Sequence, residues 1–339
     1  MITFIVTTYN LEDWLLRRCL RSIVAQGLPR ADYEIIVVDD ESHISPQAVV
    51  DEFASEVDIT LHIQPHARQG AARNLALRHA RGEWVQFVDG DDYLFAGFMP
   101  TLLSMAERNR LDLLMYGFLE VTGRDVQQPE CSSVIEPIRG EGRGEHLPAI
   151  AITTGDDYMS RHNLFGSCCT LLFRRALLDD AALGAPLRFT EGIYIEDEEF
   201  VTHLVWRAKR IARVDVPVYA YYQRSGSTVH NPDRHHTDEL FRSYLVVIQR
   251  LQRYARSLGA TPHEGLTRKI RFLAVDVMRR ALREPDWSER SHQVSSRLLG
   301  LDLYPLPAAS YSWRYRLFRR LMLREVGLYI LRIAEKLRR

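Results

Sequence analysis

The sequence of 339 residues predicts an α/β fold, a mostly parallel sheet flanked by helices with an α-helical C-terminal extension. Three observations carry this. Short β-rich runs alternate with amphipathic segments through the first 120 residues, the order that builds a parallel sheet with helical crossovers. The runs ITFIV at 2–6 and EIIVV at 34–38 have the continuous apolar character of strands covered on both faces. After Asn231 the pattern becomes almost wholly helical, with apolar residues recurring every 3.6 positions.

In chain order, strands are expected near 2–7, 34–39, 59–63, 84–88 and 112–118, with helices near 11–26, 46–56, 71–80 and 97–109 between them. Asn10 is placed to cap the first helix, with Asp13 at its third position and Leu16, Leu20, Ile23 and Val24 on one face. From Val121 to about Gly155 the pattern weakens into a mixture of Gly, Glu, Pro and Arg, a candidate loop or lid. Periodicity returns with a strand at 169–173, a helix at 196–209 and a strand at 216–222. Helices then cover 235–258, 264–283, 289–299 and 313–338, separated by Pro285, Pro305 and Pro307. The expected organisation is a first domain over 1–230, with halves at about 1–120 and 121–230, and a helical region over 231–339.

The 44 basic and 44 acidic residues balance, which argues against a nucleic-acid binder. The balance is uneven along the chain. Residues 311–339 hold nine Arg or Lys against Glu325 and Glu335, leaving 35 basic against 42 acidic residues in the first 310. Cys19, Cys131, Cys168 and Cys169 lack metal-ligand spacing and suit a reducing compartment. No secretory leader and no stretch of membrane-spanning length is evident, so a cytoplasmic location is expected.

The segment FVDGDD at 87–92 sets Asp89, Asp91 and Asp92 at the end of an apolar strand. Like charges so close cost free energy unless a divalent cation or hydrogen-bond donors offset them. Hard oxygen ligands suit Mg²⁺ or Mn²⁺, which share their coordination with substrate phosphates. The motif thus points to a phosphorylated substrate, although an acidic Asp-Gly turn can also form without metal. TTYN at 7–10 and VVDDES at 37–42 end the first two strands, so that Tyr9 would lie beside Asp39 and Asp40. An aromatic face can stack on a base and a carboxylate can accept from a ring N–H. The bland alternative is that Asp40 and Ser42 cap the next helix. GAARNLAL at 70–77 starts a helix with Gly70 and sets Arg73 in its first turn, a pyrophosphate-binding arrangement if the side chain is not merely solvated.

TEGIYIEDEEF at 190–200 places four successive carboxylates, Glu196 to Glu199, at the start of a helix, where the dipole favours them. One of them, Asp197, is the candidate general base for an acceptor hydroxyl. YYQRSGSTVH at 221–230 brings Arg224 and Ser227, both phosphate-contacting types, and His230, a candidate nitrogen ligand or a polar surface residue.

Taken together, TTYN, VVDDES, GAARNLALRHARGEWVQFVDGDDYL, EDEEF and YYQRSGST resemble the family-2 inverting glycosyltransferases with the GT-A fold, over about residues 1–230. The resemblance implies a Rossmann-like sheet and a nucleotide-diphosphate sugar donor, usually a UDP-sugar, held with Mn²⁺ or Mg²⁺. It implies a hydroxyl of a glycan or lipid-linked glycan as acceptor. Carried over by position, Thr7, Tyr9 and Asp40 would hold the base, Arg73 the nucleotide and Asp89 the ribose. Asp91 would bind the metal with Asp92, and Asp197 would be the base. The QxxRW signature of processive membrane synthases is absent. Two rivals remain: a sugar-nucleotide nucleotidyltransferase, against which the lack of a Gly-rich phosphate loop after the first strand counts, and a non-catalytic nucleotide-sugar-binding protein, against which EDEEF counts.

The C-terminal segment mingles Trp313, Leu317, Leu321, Leu328, Tyr329 and Leu331 with arginines. That composition fits a helix lying in an anionic membrane interface, which would make the protein peripheral on the inner face of the membrane, or equally a helix docked on protein. Oligomeric state is open.

Overall fold

The computed structural model describes residues 1–123, 150–179, 186–224, 233–259 and 263–337. The chain forms two compact units. The first comprises Met1–Gly155 and Phe165–Pro232, the second Asp156–Leu164 and Asp233–Arg339.

The first unit is built on an eight-stranded sheet. Its strands are β1 (Ile2–Thr8), β2 (Tyr33–Asp39), β3 (Asp58–Ile63), β4 (Trp84–Asp89), β5 (Tyr93–Leu94), β6 (Leu113–Val121), β7 (Leu171–Arg174) and β8 (Ile211–Tyr222), in spatial order β3-β2-β1-β4-β7-β6-β8-β5. β3, β2, β1 and β4 run parallel, and β6 and β8 pair in parallel. β7 lies antiparallel between β4 and β6, so β6 and β8 point the same way as β4. The carboxyl ends of β1, β2, β4 and β8 therefore share one edge of the sheet, where ligands of open α/β sheets bind.

Every residue of β1 and β2 is buried, as the unbroken apolar runs require. Phe87, Phe173, Phe189 and Phe200 form an aromatic core beneath the ligand edge, with the Phe189 and Phe200 rings stacked at 3.8 Å. β8 starts at Ile211, earlier than the expected 216, although Asp215 and Pro217 read as strand breakers. Pro217 sits where the β6/β8 register shifts, and a bulge tolerates the missing N–H.

Helices α1 (Asp13–Val24), α2 (Gln47–Asp51), α3 (Arg68–His79), α4 (Met99–Arg108) and α6 (Glu196–Arg207) belong to this unit, and α5 (Gly155–Arg161) begins at its boundary. Asn10 does not cap α1. It adopts a left-handed φ of 48°, and its side-chain oxygen accepts from the His43 N–H at 2.8 Å while its own N–H donates to Ser42 Oγ at 2.7 Å. Asparagine tolerates this conformation, and here it ties the end of β1 to the loop after β2.

The second unit is helical: α7 (Arg234–Ser257), α8 (Glu264–Arg283), α9 (Trp287–Leu299), α10 (Trp313–Leu321) and α11 (Glu325–Lys336). α8 supplies its core through Leu266, Ile270, Leu273, Val277, Met278 and Leu282. The single helix expected over 313–338 is broken at Met322–Arg324. A Cβ at Gly327 would come within 2.1 Å of the Leu321 carbonyl oxygen, so glycine is what permits α11 to pack against the end of α10. Buried Glu335 of α11 accepts from Arg279 and Arg283 of α8. Among the described residues no helix is long and apolar enough to cross a membrane.

Candidate active site

Strand register brings the sequence motifs together. Thr7 of β1 aligns with Asp89 of β4, and Thr8 with Asp39 of β2. At Gly90 an added Cβ would lie 2.8 Å from the Thr7 carbonyl oxygen and 2.9 Å from Leu11, while the Gly90 N–H donates to that same oxygen at 3.0 Å. The glycine of DGD thus serves close approach of two strand ends.

The three aspartates have different surroundings. Asp89 Oδ1 accepts from Gln69 Nε2 at 2.6 Å and from Arg73 Nη2 at 2.8 Å. Asp91 Oδ2 accepts from Arg224 Nε at 2.7 Å, and its carbonyl accepts from Arg18 Nη2 at 2.8 Å. Burial, then the charge of Asp89, pushes the Asp91 carboxyl up, with Arg224 opposing. Asp92 is 1% exposed and turned to β8: Tyr219 Oη donates to Oδ2 at 2.6 Å and the Tyr222 N–H to Oδ1 at 2.7 Å. Its carboxyl is pushed well above the usual range by burial and by Asp91 and Asp89. Each Asp92 oxygen thus accepts a hydrogen bond from β8. The residue braces β4 to β8.

At the other end of the site the Tyr9 ring stacks on His66, centroids 4.4 Å apart and planes 26° apart. Asp40 is buried, and both of its oxygens are engaged. Oδ1 accepts from Gln64 Nε2 and the Ala67 N–H, while Oδ2 accepts from the Arg68 N–H and contacts His66 Nδ1 at 2.8 Å. Asp40 thus clamps the 64–68 loop, whose N–H groups precede α3 without other caps, and holds Arg68 at a left-handed φ of 70°. The alternative role for Asp40 and Ser42, capping the next helix, is not seen, since α2 starts after Pro46. Thr7 Oγ1 lies 3.2 Å from Gln69 Nε2.

Arg73 departs most from expectation. It lies in the second turn of a helix that starts at Arg68, and it is 3% exposed. Its guanidinium spans two carboxylates, donating to Asp89 Oδ1 and, at 3.0 Å, to Glu196 Oε1. The guanidinium thus bridges buried Glu196 to Asp89, whose side chain is 28% exposed. Gly70 allows this packing, since a Cβ there would approach Glu196 Cγ to 3.0 Å and the Thr190 carbonyl oxygen to 3.2 Å.

Asp197 is the second residue of α6, next to Glu196. The residue is only half-buried, yet its carboxyl is pushed well above the usual carboxylate range, first by removal from water and then by Glu196 and Glu198. One oxygen accepts from the Glu198 N–H at 2.9 Å. Glu199 turns inward to accept from Thr190. Arg224 reaches Asp91 from the end of β8, whereas Ser227 and His230 lie outside the described residues.

Sequence reasoning missed Gln69, Arg18, His66, Tyr219 and the bridging role of Glu196. Only Gln69 carried a signal, standing beside GAARN. Tyr219 reads as an ordinary core aromatic of a strand.

A model described as glycosyl transferase family 2 matches residues 3–181. The chain belongs to glycosyl transferase family 2. Among relatives of this family, the poly(ribitol-phosphate) beta-glucosyltransferase of Bacillus spizizenii is 27% identical over 229 residues, 66% of this chain and 33% of that protein. The poly(ribitol-phosphate) beta-N-acetylglucosaminyltransferase TarS of Staphylococcus aureus (strain Mu50) is 26% identical over 219 residues, 64% of this chain and 34% of that protein. The chain thus spans about a third of the length of these two relatives. Among solved structures, S. aureus TarS 1–349 in complex with UDP-GlcNAc superposes with a TM-score of 0.67 at 19% identity, covering 99% of this chain and 90% of that one. A mannosyltransferase from Pyrobaculum calidifontis in complex with GDP-Man and Mn²⁺ follows at 0.51 and 19%, over 99% and 86%. At such identities the likeness establishes the fold, which is GT-A.

No group of three or more His, Cys, Asp or Glu side chains among the described residues forms a metal cage. The residues present nonetheless fit a cation that takes most of its ligands from a substrate. Asp91 is a hard oxygen donor that feels the like charge of Asp89, and Arg224 already stands at its carboxylate as a cation.

Proposed function

We propose that this family member transfers a sugar, with inversion, from a nucleotide-diphosphate sugar to a hydroxyl of a glycan or lipid-linked glycan. The observation that carries the reading is the Asp89–Arg73–Glu196 bridge, which joins the strand-end acids to the segment bearing Asp197 through two hydrogen bonds. A UDP-sugar is favoured because the structural relative of highest similarity cited above binds UDP-GlcNAc. The poly(ribitol-phosphate) relatives favour a surface-polymer acceptor.

In this mechanism the base lies over Tyr9 with Asp40 accepting from it, and Asp89 faces the ribose. Asp91 would hold Mn²⁺ or Mg²⁺ together with the donor's diphosphate oxygens, and the cation when bound supplies charge neutralisation. Asp197 takes the proton of the acceptor hydroxyl. The acceptor oxygen forms its bond to the anomeric carbon from the face opposite the leaving group. The bond from that carbon to the diphosphate oxygen breaks, and its electron pair leaves with the nucleoside diphosphate. A carboxylate whose pKa is raised by burial is a stronger base than an exposed one. Arg224, which stands at Asp91, would meet the negative charge that grows on the leaving group, where a donor is worth most in the transition state.

A panel of nucleotide sugars scored by UDP or GDP release, with and without Mn²⁺, tests the proposal. Asp197→Asn should keep donor affinity and lower transfer by about 10²–10⁴-fold. Release of pyrophosphate in place of a nucleoside diphosphate would establish nucleotidyl transfer instead. Full turnover by the Asp197 variant would remove its assignment as base.

A further inference from the structure

The last helix of the second unit has two apolar faces, one buried and one exposed apart from the contact of Tyr329 with the Trp287 ring. Leu328 and Leu331 are buried, and Glu335 on the same side is held by Arg279 and Arg283. On the other side Val326, Tyr329, Ile330, Ile333 and Leu337 follow the i, i+3, i+4, i+7, i+11 spacing of a single helical stripe. All five are exposed, by 45% to 82%. Trp313 and Leu317, one turn apart on α10, are exposed by 63% and 47%, and Leu323 between the helices by 50%.

The exposed charge of α10 and α11 is mostly basic. Arg314, Arg316, Arg320, Arg324 and Lys336 are exposed, and Glu325 is the one exposed acid among the described residues from Tyr311 onward. Water is a poor partner for so much aliphatic surface, and isolated exposed apolar residues would not fall in register on a helix. A second copy of the chain is a poor partner too, because a face-to-face contact would bring two arginine-rich rims together. An anionic surface that also offers hydrocarbon satisfies both requirements.

We propose that the α10–α11 face lies in the interface of a membrane rich in anionic lipid. The aliphatic stripe enters the headgroup and acyl boundary, and the flanking guanidinium groups meet lipid phosphates. The device requires no spanning helix, and none of these residues belongs to the proposed transferase site, so the inference stands apart from that assignment.

Vesicle flotation of the full chain tests it, with phosphatidylcholine vesicles compared with vesicles containing phosphatidylglycerol. Binding is expected only to the anionic vesicles and should weaken with salt. Val326→Glu/Ile330→Glu/Ile333→Glu, all at exposed positions, should lower partitioning by about 100-fold or more. Arg320→Gln/Arg324→Gln should lower it about 30-fold, at about fivefold per charge. Circular dichroism and donor hydrolysis of the variants should match the parent. Equal flotation of parent and triple variant would overturn the proposal. So would sedimentation showing a dimer that the triple variant dissolves, since the stripe would then be a contact between copies.

Discussion

Replacing Arg73 with Met keeps the length and volume of the side chain near those of the native residue while deleting the fork between Asp89 and Glu196. The two carboxylates fare differently. Asp89 retains Gln69 and is 28% exposed, whereas the Glu196 side chain is 8% exposed and ion-pairs with Arg73. Breaking a buried pair by removing one partner costs about 3–5 kcal/mol, because the remaining charge is left without compensation. For a unit of this size that corresponds to a fall in Tm of about 6–20 °C. The loss should depend on pH. Burial already holds the Glu196 carboxyl above its usual range, with Arg73 opposing, so the variant raises it further. A carboxyl whose folded pKa exceeds its unfolded value binds protons preferentially in the folded state. Its unfavourable effect is therefore absent below the unfolded pKa, grows as pH rises from there, and levels off above the folded one. Thermal unfolding of the variant should recover toward the parent as pH is lowered from neutrality toward the ordinary glutamate range. Adding Glu196→Gln should restore part of the loss at pH 7.5. A Tm for Arg73→Met within 2 °C of the parent, or no pH dependence of the difference, would refute the bridge.

Two further outcomes follow from the site. Because Asp197 must be ionised to act as base and burial raises its pKa, the acid limb of the pH profile of kcat/KM should lie well above the ordinary aspartate range of about 4; a limb at the ordinary value would argue that another group titrates. Asp91→Asn should abolish the Mn²⁺-dependent part of UDP binding measured by calorimetry while leaving the fold intact, and unchanged metal dependence would shift the ligand role elsewhere.

The architecture was legible because it depends on patterns that survive in one dimension. The buried runs at 2–6 and 34–38 and the crossover spacing define the parallel half of the sheet, and the acids at 87–92 fall at a strand end where the fold puts ligands. Side-chain direction was not legible. Arg73 and Asp92 carry the residue types of ligand contacts, yet one is drawn inward by Glu196, which is 123 residues distant, and the other by Tyr219, 127 residues distant. Such partners are set by packing of non-local elements, and nothing in the local spacing of either residue records them. The break between α10 and α11 was hidden for a related reason. The apolar stripe runs through it, and only Gly327, three residues further on, marks the close approach.

The Tyr9–His66 stack has a consequence for how a donor enters. An imidazole lying flat on Tyr9, with a ring nitrogen 2.8 Å from Asp40, has the outline of a small heterocycle using the same two groups a pyrimidine would use. A base that docks there takes the place of a resident side chain. Under the proposed donor site, affinity would include the work of turning His66 out and loosening the loop that Asp40 holds. A pyrimidine docking on Tyr9 would thus compete with one of the chain's own side chains for the same ring and the same carboxylate.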